Sequence, residues 1–294
     1  MLLSGDREKK KHVKKILREY SSKFELYDDF AASIRRLMFL FLKASQINFH
    51  SINYRAKDVY SLKQKIKRKM VKGRIYAGLN EISDLAGVRV ILYFKSDIPK
   101  VVDIINREFL VHEEENVDRN SVKNSDRTSG YTAIHRIVSL NKEREALKEY
   151  SHFSGLKCEI QIRTVLQHAW SEIEHGIGYK PAFNENSAAK KRIKKLFKQI
   201  AKQLESADAN FVNIHDSHNE LLKKYLEKIN KRRMNVAINA ESIESYFLKK
   251  ENFQKIPEAK KNLLILEYLE LAKTAQLKTI KELDELLSKQ IANG

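Results

Sequence analysis

The segment LKCEIQIRTVLQHAWSEIEHGIGYK, Leu156–Lys180, fixes the middle of the fold and poses a chemical question. Side chains of an extended strand alternate between two faces. Cys158, Ile160 and Ile162 therefore fall on one face, and Glu159, Gln161 and Arg163 on the other. A strand with one solvated face would give the same alternation. The residues after the strand argue for more. A helix starts near Thr164, with Gln167, Trp170, Ile173, Glu174 and Ile177 recurring every three or four residues. The polar strand face thus runs straight into a helix that carries the only Trp, two His and two further carboxylates. That combination reads as the floor of a nucleotide site.

Working outward, YTAIHRIVSL and VRVILYF are β-branched runs of strand length. IPKVVDIINREFL is an amphipathic helix with Pro99 in its first turn, where the missing amide costs nothing. NFHSINYRAKDVYSLKQKIKRKM passes from a short strand into a basic helix, and residues 6–45 read as helical, with an apolar stretch for docking on a core. HEEENVDRNSVKNSDRTSG is a polar loop, while NKEREALKEYSHFSG is either a short helix or an insertion. Strands alternating with helices give an α+β fold, a mixed sheet flanked by helices. Beyond Lys180 no strand pattern appears, and KKRIKKLFKQIAKQLESADANFVNI and KKNLLILEYLELAKTAQLKTIKELDELLSKQI read as long amphipathic helices. The expected organisation is a helical segment over 1–45, a catalytic domain over 46–182 and an all-helical C-terminal extension over 183–294.

Lys and Arg number 56 against 38 Asp and Glu, a net charge of +18 that attracts polyanions such as nucleotides or RNA. No apolar run is long enough for a membrane span, and the charged N-terminus lacks the apolar core of a signal peptide. A single Cys rules out an internal disulfide framework and fits a reducing compartment, so a cytoplasmic location is expected. Cys158 itself reads as a small core residue.

Three further segments carry chemistry. In ISDLAGVRV, Asp84 stands just before a strand; it is either a cap or a carboxylate projecting from the sheet end. Paired with Glu159 on a neighbouring strand, it would suit Mg²⁺, which takes oxygen ligands and keeps substrate phosphates. In YRAKDVYSLKQKIKRK, the residues Arg55, Lys57, Ser61, Lys65 and Arg68 bring cations around one helix end, as phosphate binding or a solvated basic face would require. In GYTAIHRIV, Tyr131, Ala133 and His135 share a strand face, able to stack a base or simply to be half buried. HDSHNE, from His215, reads as a solvated helical face.

With these four motifs in this order, the chain resembles the RelA/SpoT synthetase family, the pyrophosphokinases that make (p)ppGpp. The resemblance covers roughly residues 25–181, with a looser match through LESADANF. It implies a nucleotidyltransferase-like synthetase fold, with Arg55, Lys57, Ser61, Lys65 and Arg68 binding ATP. It further implies Asp84 and Glu159 on Mg²⁺, with Glu159 also activating the attacking hydroxyl. Tyr131 would stack the acceptor base, while Arg127, His135 and Gln161 position the acceptor. The reaction implied moves the β,γ-pyrophosphate of ATP to the 3′-hydroxyl of GDP or GTP and releases AMP. The chain departs from the family at His168, an acceptor-binding position beside the guanine, where guanosine-using members often carry Asn or Asp two residues before the Trp. Two alternatives arise: the family's toxin branch, which pyrophosphorylates the 3′ CCA end of tRNA, and a catalytically silent RNA- or ribosome-binding protein. The helical extension would serve an oligomer or a regulatory partner; no membrane partner is expected.

Overall fold

Strand β6, Cys158–Thr164, is an inner strand of a mixed six-stranded sheet in the computed structural model of the chain. The structure describes residues 5–115, 117–118, 133–178, 188–249, 253, 256 and 258–292. Parallel to β6 runs β2, Ala86–Leu92; β1, Phe49–Ala56, pairs antiparallel with β2. On the other side β5, Ile134–Ser139, pairs antiparallel with β6, and the short β3, Leu110–Val111, and β4, Val117–Asp118, pair with β5. The strand order is β1-β2-β6-β5-β3, with β4 off this path.

Register turns the alternation of β6 into a two-faced sheet. Gly87 lies opposite Glu159 and Arg89 opposite Gln161, while Arg55 and Asn53 lie opposite Gly87 and Arg89. His135 faces Gln161 from β5. Directly paired residues share a face, so the polar residues of β6 join Asn53, Arg55, Arg89 and His135 on one side. The other side presents Val88, Val90, Cys158, Ile160 and Ile162, all buried.

Helices α1, Asp6–Ser22, and α2, Phe24–Ala44, belong to the same core. In α2 the buried Tyr27, Phe30, Ala31, Ile34, Leu37, Met38 and Leu42 recur at helical spacing, with no Gly or Pro to interrupt them. Removing Phe30 fully from water is worth about 1.5–3 kcal/mol. Helix α3, Val59–Val71, follows β1; α4, Ile98–Glu108, follows β2 with Pro99 at its start as expected. The segment left open between helix and insertion resolves into the four-residue α5, Lys142–Glu145, and a 3-10 turn at Ser151–Phe153.

Helix α6, Val165–Gly178, leaves β6 directly, and α7 covers Ala188–Asn230. Two compact units, Met1–Asn210 and Phe211–Gly294, divide inside α7. The first half of α7 packs Phe197, Ala201 and Leu204 around Trp170 of α6, which ties it to the sheet unit. In the second unit, α8, Ala240–Leu248, joins Ile229, Val236, Phe253, Ile280 and Leu283 in a separate core. The last apolar pattern, read as one long helix, is two: Glu258–Thr274 and Ile280–Ala292. Gln276 takes φ 55 and the amide of Leu277 returns to the carbonyl of Ala272, a left-handed helix stop. Thr279 then accepts from the amide of Glu282, whose carboxylate accepts from the amide of Lys278. TIKE was a helix-start signal of the Thr-x-x-Glu type that the apolar pattern overrode. Among the described residues no helix is long and apolar enough to cross a membrane.

Candidate active site

One pocket opens on the polar face, lined by Asn53, Tyr54, Arg55, Lys57, Asp84, Gly87, Val88, Arg89, Glu159 and Gln161. Five of the expected residues therefore meet there: Arg55, Lys57, Asp84, Glu159 and Gln161. Lys65 joins them through Asp84, and His135 through Glu159. Ser61 and Arg68 stand on the same stripe of α3 as Lys65 but do not line the pocket, and neither does His168. Arg127 and Tyr131 lie outside the described residues.

Asp84 sits two residues before β2 and is held by two ammonium groups, Lys57 at 2.9 Å and Lys65 at 2.6 Å. Burial alone would raise its carboxyl; the two lysines outweigh that and hold it below the ordinary carboxylate range. Asp58 caps α3 by accepting from the amide of Ser61 at 2.9 Å. The start of α3 thus already has its anion.

Glu159 accepts from His135 Nδ1 at 2.8 Å on Oε1 and from Gln161 Nε2 at 2.7 Å on Oε2. Arg163 donates to Gln161 Oε1 at 2.6 Å, which fixes the Gln161 amide with its NH₂ towards Glu159. Burial pushes the Glu159 carboxyl up, but His135, Gln161 and Lys57 together bring it down to about 2. Arg163, the third polar residue of this face, is buried, its other arm on Ser171 of α6 at 3.0 Å. The polar face of β6 is a wired row rather than a solvated surface.

Arg89 is the residue the sequence reading missed. It and Arg55 are diagonal cross-strand neighbours, a relation that sets residues about 7–8 Å apart with their Cβ atoms somewhat closer. Glu172 of α6 binds Arg89 at 3.0 Å, and His168 lies 3.7 Å from the same Glu172 oxygen. Burial, then Arg89, lowers the His168 pKa against the opposing pull of Glu172. The signal was available: in GVRV, Arg89 shares the strand parity of Gly87 and so the face of Arg55.

Two contacts from the N-terminal helices hold the end of β1 in place. Tyr20, fully buried, donates to the carbonyl of Lys57 at 2.6 Å, and Asp28 accepts from the amide of Ala56 at 3.1 Å. Tyr20→Phe removes the first of these. It is expected to lower unfolding free energy by about 1 kcal/mol in a urea titration, and an unchanged midpoint would show that the bond contributes nothing.

Residues 54–184 match the family described as a region found in RelA/SpoT proteins. GTP pyrophosphokinase YwaC of Bacillus subtilis (strain 168) is 34% identical over 131 residues, 43% of this chain and 56% of that protein. GTP pyrophosphokinase YjbM of the same organism is 30% identical over 146 residues, 48% of this chain and 62% of that protein. The matched part thus spans about three-fifths of each relative. Small alarmone synthetase 1 from Bacillus subtilis shares the fold at a TM-score of 0.55 and 20% identity, over 69% of this chain and 99% of that one. That synthetase has also been solved bound to pppGpp and bound to AMPCPP.

Proposed function

We propose that the chain is an ATP-dependent pyrophosphokinase, a reading supported by the match of residues 54–184 to the region found in RelA/SpoT proteins. It transfers the β,γ-pyrophosphate of ATP to the 3′-hydroxyl of GDP or GTP. The hydroxyl oxygen bonds to the β-phosphorus, the bond from that phosphorus to the α,β-bridging oxygen breaks, and AMP leaves. The observation that carries this reading is the pairing of two carboxylates, Asp84 and Glu159, at the starts of adjacent parallel strands, in one pocket with Arg55, Lys57 and Arg89.

Both carboxylates are held ionised by their neighbours, which suits a divalent cation. Among the described residues no three His, Cys, Asp or Glu side chains group into a self-sufficient cage. Mg²⁺ fits such a pair, since it commonly takes one or two carboxylates and completes its shell with water and substrate phosphates. Asp84 and Glu159 would hold it, and when bound it would offset charge on the phosphoryl oxygens. Lys57 and Lys65, with Ser61 and Arg68 on the same stripe of α3, bind the ATP phosphates. The guanidinium planes of Arg55 and Arg89 take the base between them. Gln161 and His135 on the β5 side position the acceptor, and the family resemblance assigns Arg127 and Tyr131 to the same role. A carboxyl near 2 is a weak proton acceptor. An acceptor nucleotide that engages Gln161 or His135 withdraws a donor from Glu159 and raises its basicity at the moment the hydroxyl arrives.

A second reading, with the tRNA 3′ end as acceptor, draws on the end of α3. After burial, the causes that lower the Lys69 pKa are all cations: Arg74, Lys65, Arg68 and Lys72. Such a cluster gains from a polyanion through released counterions. Offering GDP, GTP and bulk tRNA side by side with γ-labelled ATP and Mg²⁺ separates the readings. Label is expected in a guanosine product; label in tRNA alone would replace the acceptor, and no transfer to any of them would sink the enzyme reading.

A further inference from the structure

Asp208, on the first half of α7, is 1% exposed, and no part of the chemistry above uses it. Its Oδ2 accepts from the hydroxyl of Thr164, the last residue of β6, at 2.9 Å. That hydroxyl in turn accepts from the amide of Gln167 at 3.1 Å, while the Gln167 side chain accepts from the amide of Thr164 at 2.9 Å. The result is a reciprocal cap on the first turn of α6. A hydroxyl has one proton to give. Because it goes to Asp208, the lone pairs of Thr164 are turned to the helix amide. A carboxylate at this end also complements the partial positive charge of the α6 N-terminus.

What α6 carries makes this cap matter. Ser171 binds Arg163, which orients Gln161 and through it Glu159. One residue on, Glu172 binds Arg89 in the pocket wall. Arg163 and Arg89 thus both take their positions from a single helix whose start is pinned from outside the sheet. We propose that Asp208 is a positioning residue for the nucleotide pocket: by fixing the first turn of α6 on the end of β6, it sets Arg163 through Ser171 and Arg89 through Glu172. It acts without touching substrate, and the proposal rests on the pyrophosphokinase reading for its kinetic readout only.

Trp170 is the only Trp of the chain and is buried between α6 and α7 against Phe197 and Ala201. Its fluorescence therefore reports this docking directly. In the full-length chain, well below its melting temperature, Asp208→Ala is expected to lower kcat/KM for ATP about tenfold or more, since small misplacements of positioning groups have effects of that size. Acrylamide quenching of Trp170 should rise about twofold alongside, as the α6–α7 contact loosens. Asp208→Asn keeps an oxygen for Thr164 and should stay within about threefold of the parent, a split that general destabilisation would not produce. Wild-type kinetics in Asp208→Ala, or equal losses in the Ala and Asn variants with unchanged quenching, would overturn the proposal. If Asp208→Ala does not fold, Thr164→Val against Thr164→Ser makes the same comparison, with Ser expected to keep activity and Val to lose it. Should the wild-type chain turn over no acceptor, the pyrophosphokinase reading fails by itself. The positioning role is then decided by equilibrium binding of Mg-ATP and by Trp170 quenching, and no change of either in Asp208→Ala rejects it.

Discussion

Glu159→Gln and Asp84→Asn are each expected to lower turnover by about 100-fold or more with the fold intact, the size of effect seen when one preorganised electrostatic group is removed from an active site. Gln has the shape of Glu without its charge, and its NH₂ cannot accept the hydrogen bond that one of the two donors to Glu159 now makes. His135 relieves part of that conflict, because its ring nitrogen can become the acceptor by a change of tautomer. Gln161 cannot turn as easily, since Arg163 holds its oxygen. The Asp84 change differs in kind. Asn in its place leaves Lys57 and Lys65 facing each other across a neutral amide, where the carboxylate had bound both. Stability should fall as well, by the 1–3 kcal/mol typical of a partly buried group left without its charged partner. Steady-state kcat with GDP and ATP, beside circular dichroism melts, separates the two effects. Full activity in either variant would remove that residue from the machinery.

Ending the chain at residue 182, where composition alone suggests a domain boundary, is expected to cost more stability than any single substitution above. Trp170 would lose Phe197, Ala201 and Leu204 from its surroundings, and Thr164 would lose Asp208. Uncovering an indole and its apolar neighbours is worth about 3–5 kcal/mol by comparison with core truncations. Against a typical domain stability of about 5–15 kcal/mol, that brings the shortened domain close to unfolding. A chain ending at residue 210, the limit of the compact sheet unit, retains all of these contacts and should melt as one transition. Comparing the two in urea decides the matter. If the 182-residue form is as stable as the 210-residue form, the first half of α7 is an appendage after all.

Much of this was legible in the chain because period and parity are read residue by residue. The alternation in CEIQIRT gave both faces of β6, and the spacing in α2 gave the stripe that covers one of them. Asp84, Lys57, Lys65, Glu159, Gln161 and His135 share one neighbourhood, as the order of motifs implied. Relations between distant side chains were not legible. No local pattern says that Arg163 is buried with Ser171, or that Glu172 reaches Arg89, because those contacts depend on how α6 lies across the sheet. Asp208 is the extreme case. A lone Asp in an amphipathic helix reads as solvated, and only the packing around Trp170 places it at the end of β6. The break at Gln276 was missed for a different reason: a left-handed stop needs one residue, and nothing apolar marks it.

The two faces of β6 also bind the fate of the fold to the fate of the chemistry. Inserting or deleting one residue within this strand would exchange its parity. Residues beyond the change would then swap faces, those among Glu159, Gln161 and Arg163 turning towards α2 and those among Cys158, Ile160 and Ile162 entering the pocket. A frame slip here has no silent outcome, for whatever ruins the site also puts charge into the core. Lineages carrying this strand can vary its side chains one at a time but not its length, and shortened or lengthened copies should be cleared as misfolded chains rather than persist as inactive folded ones.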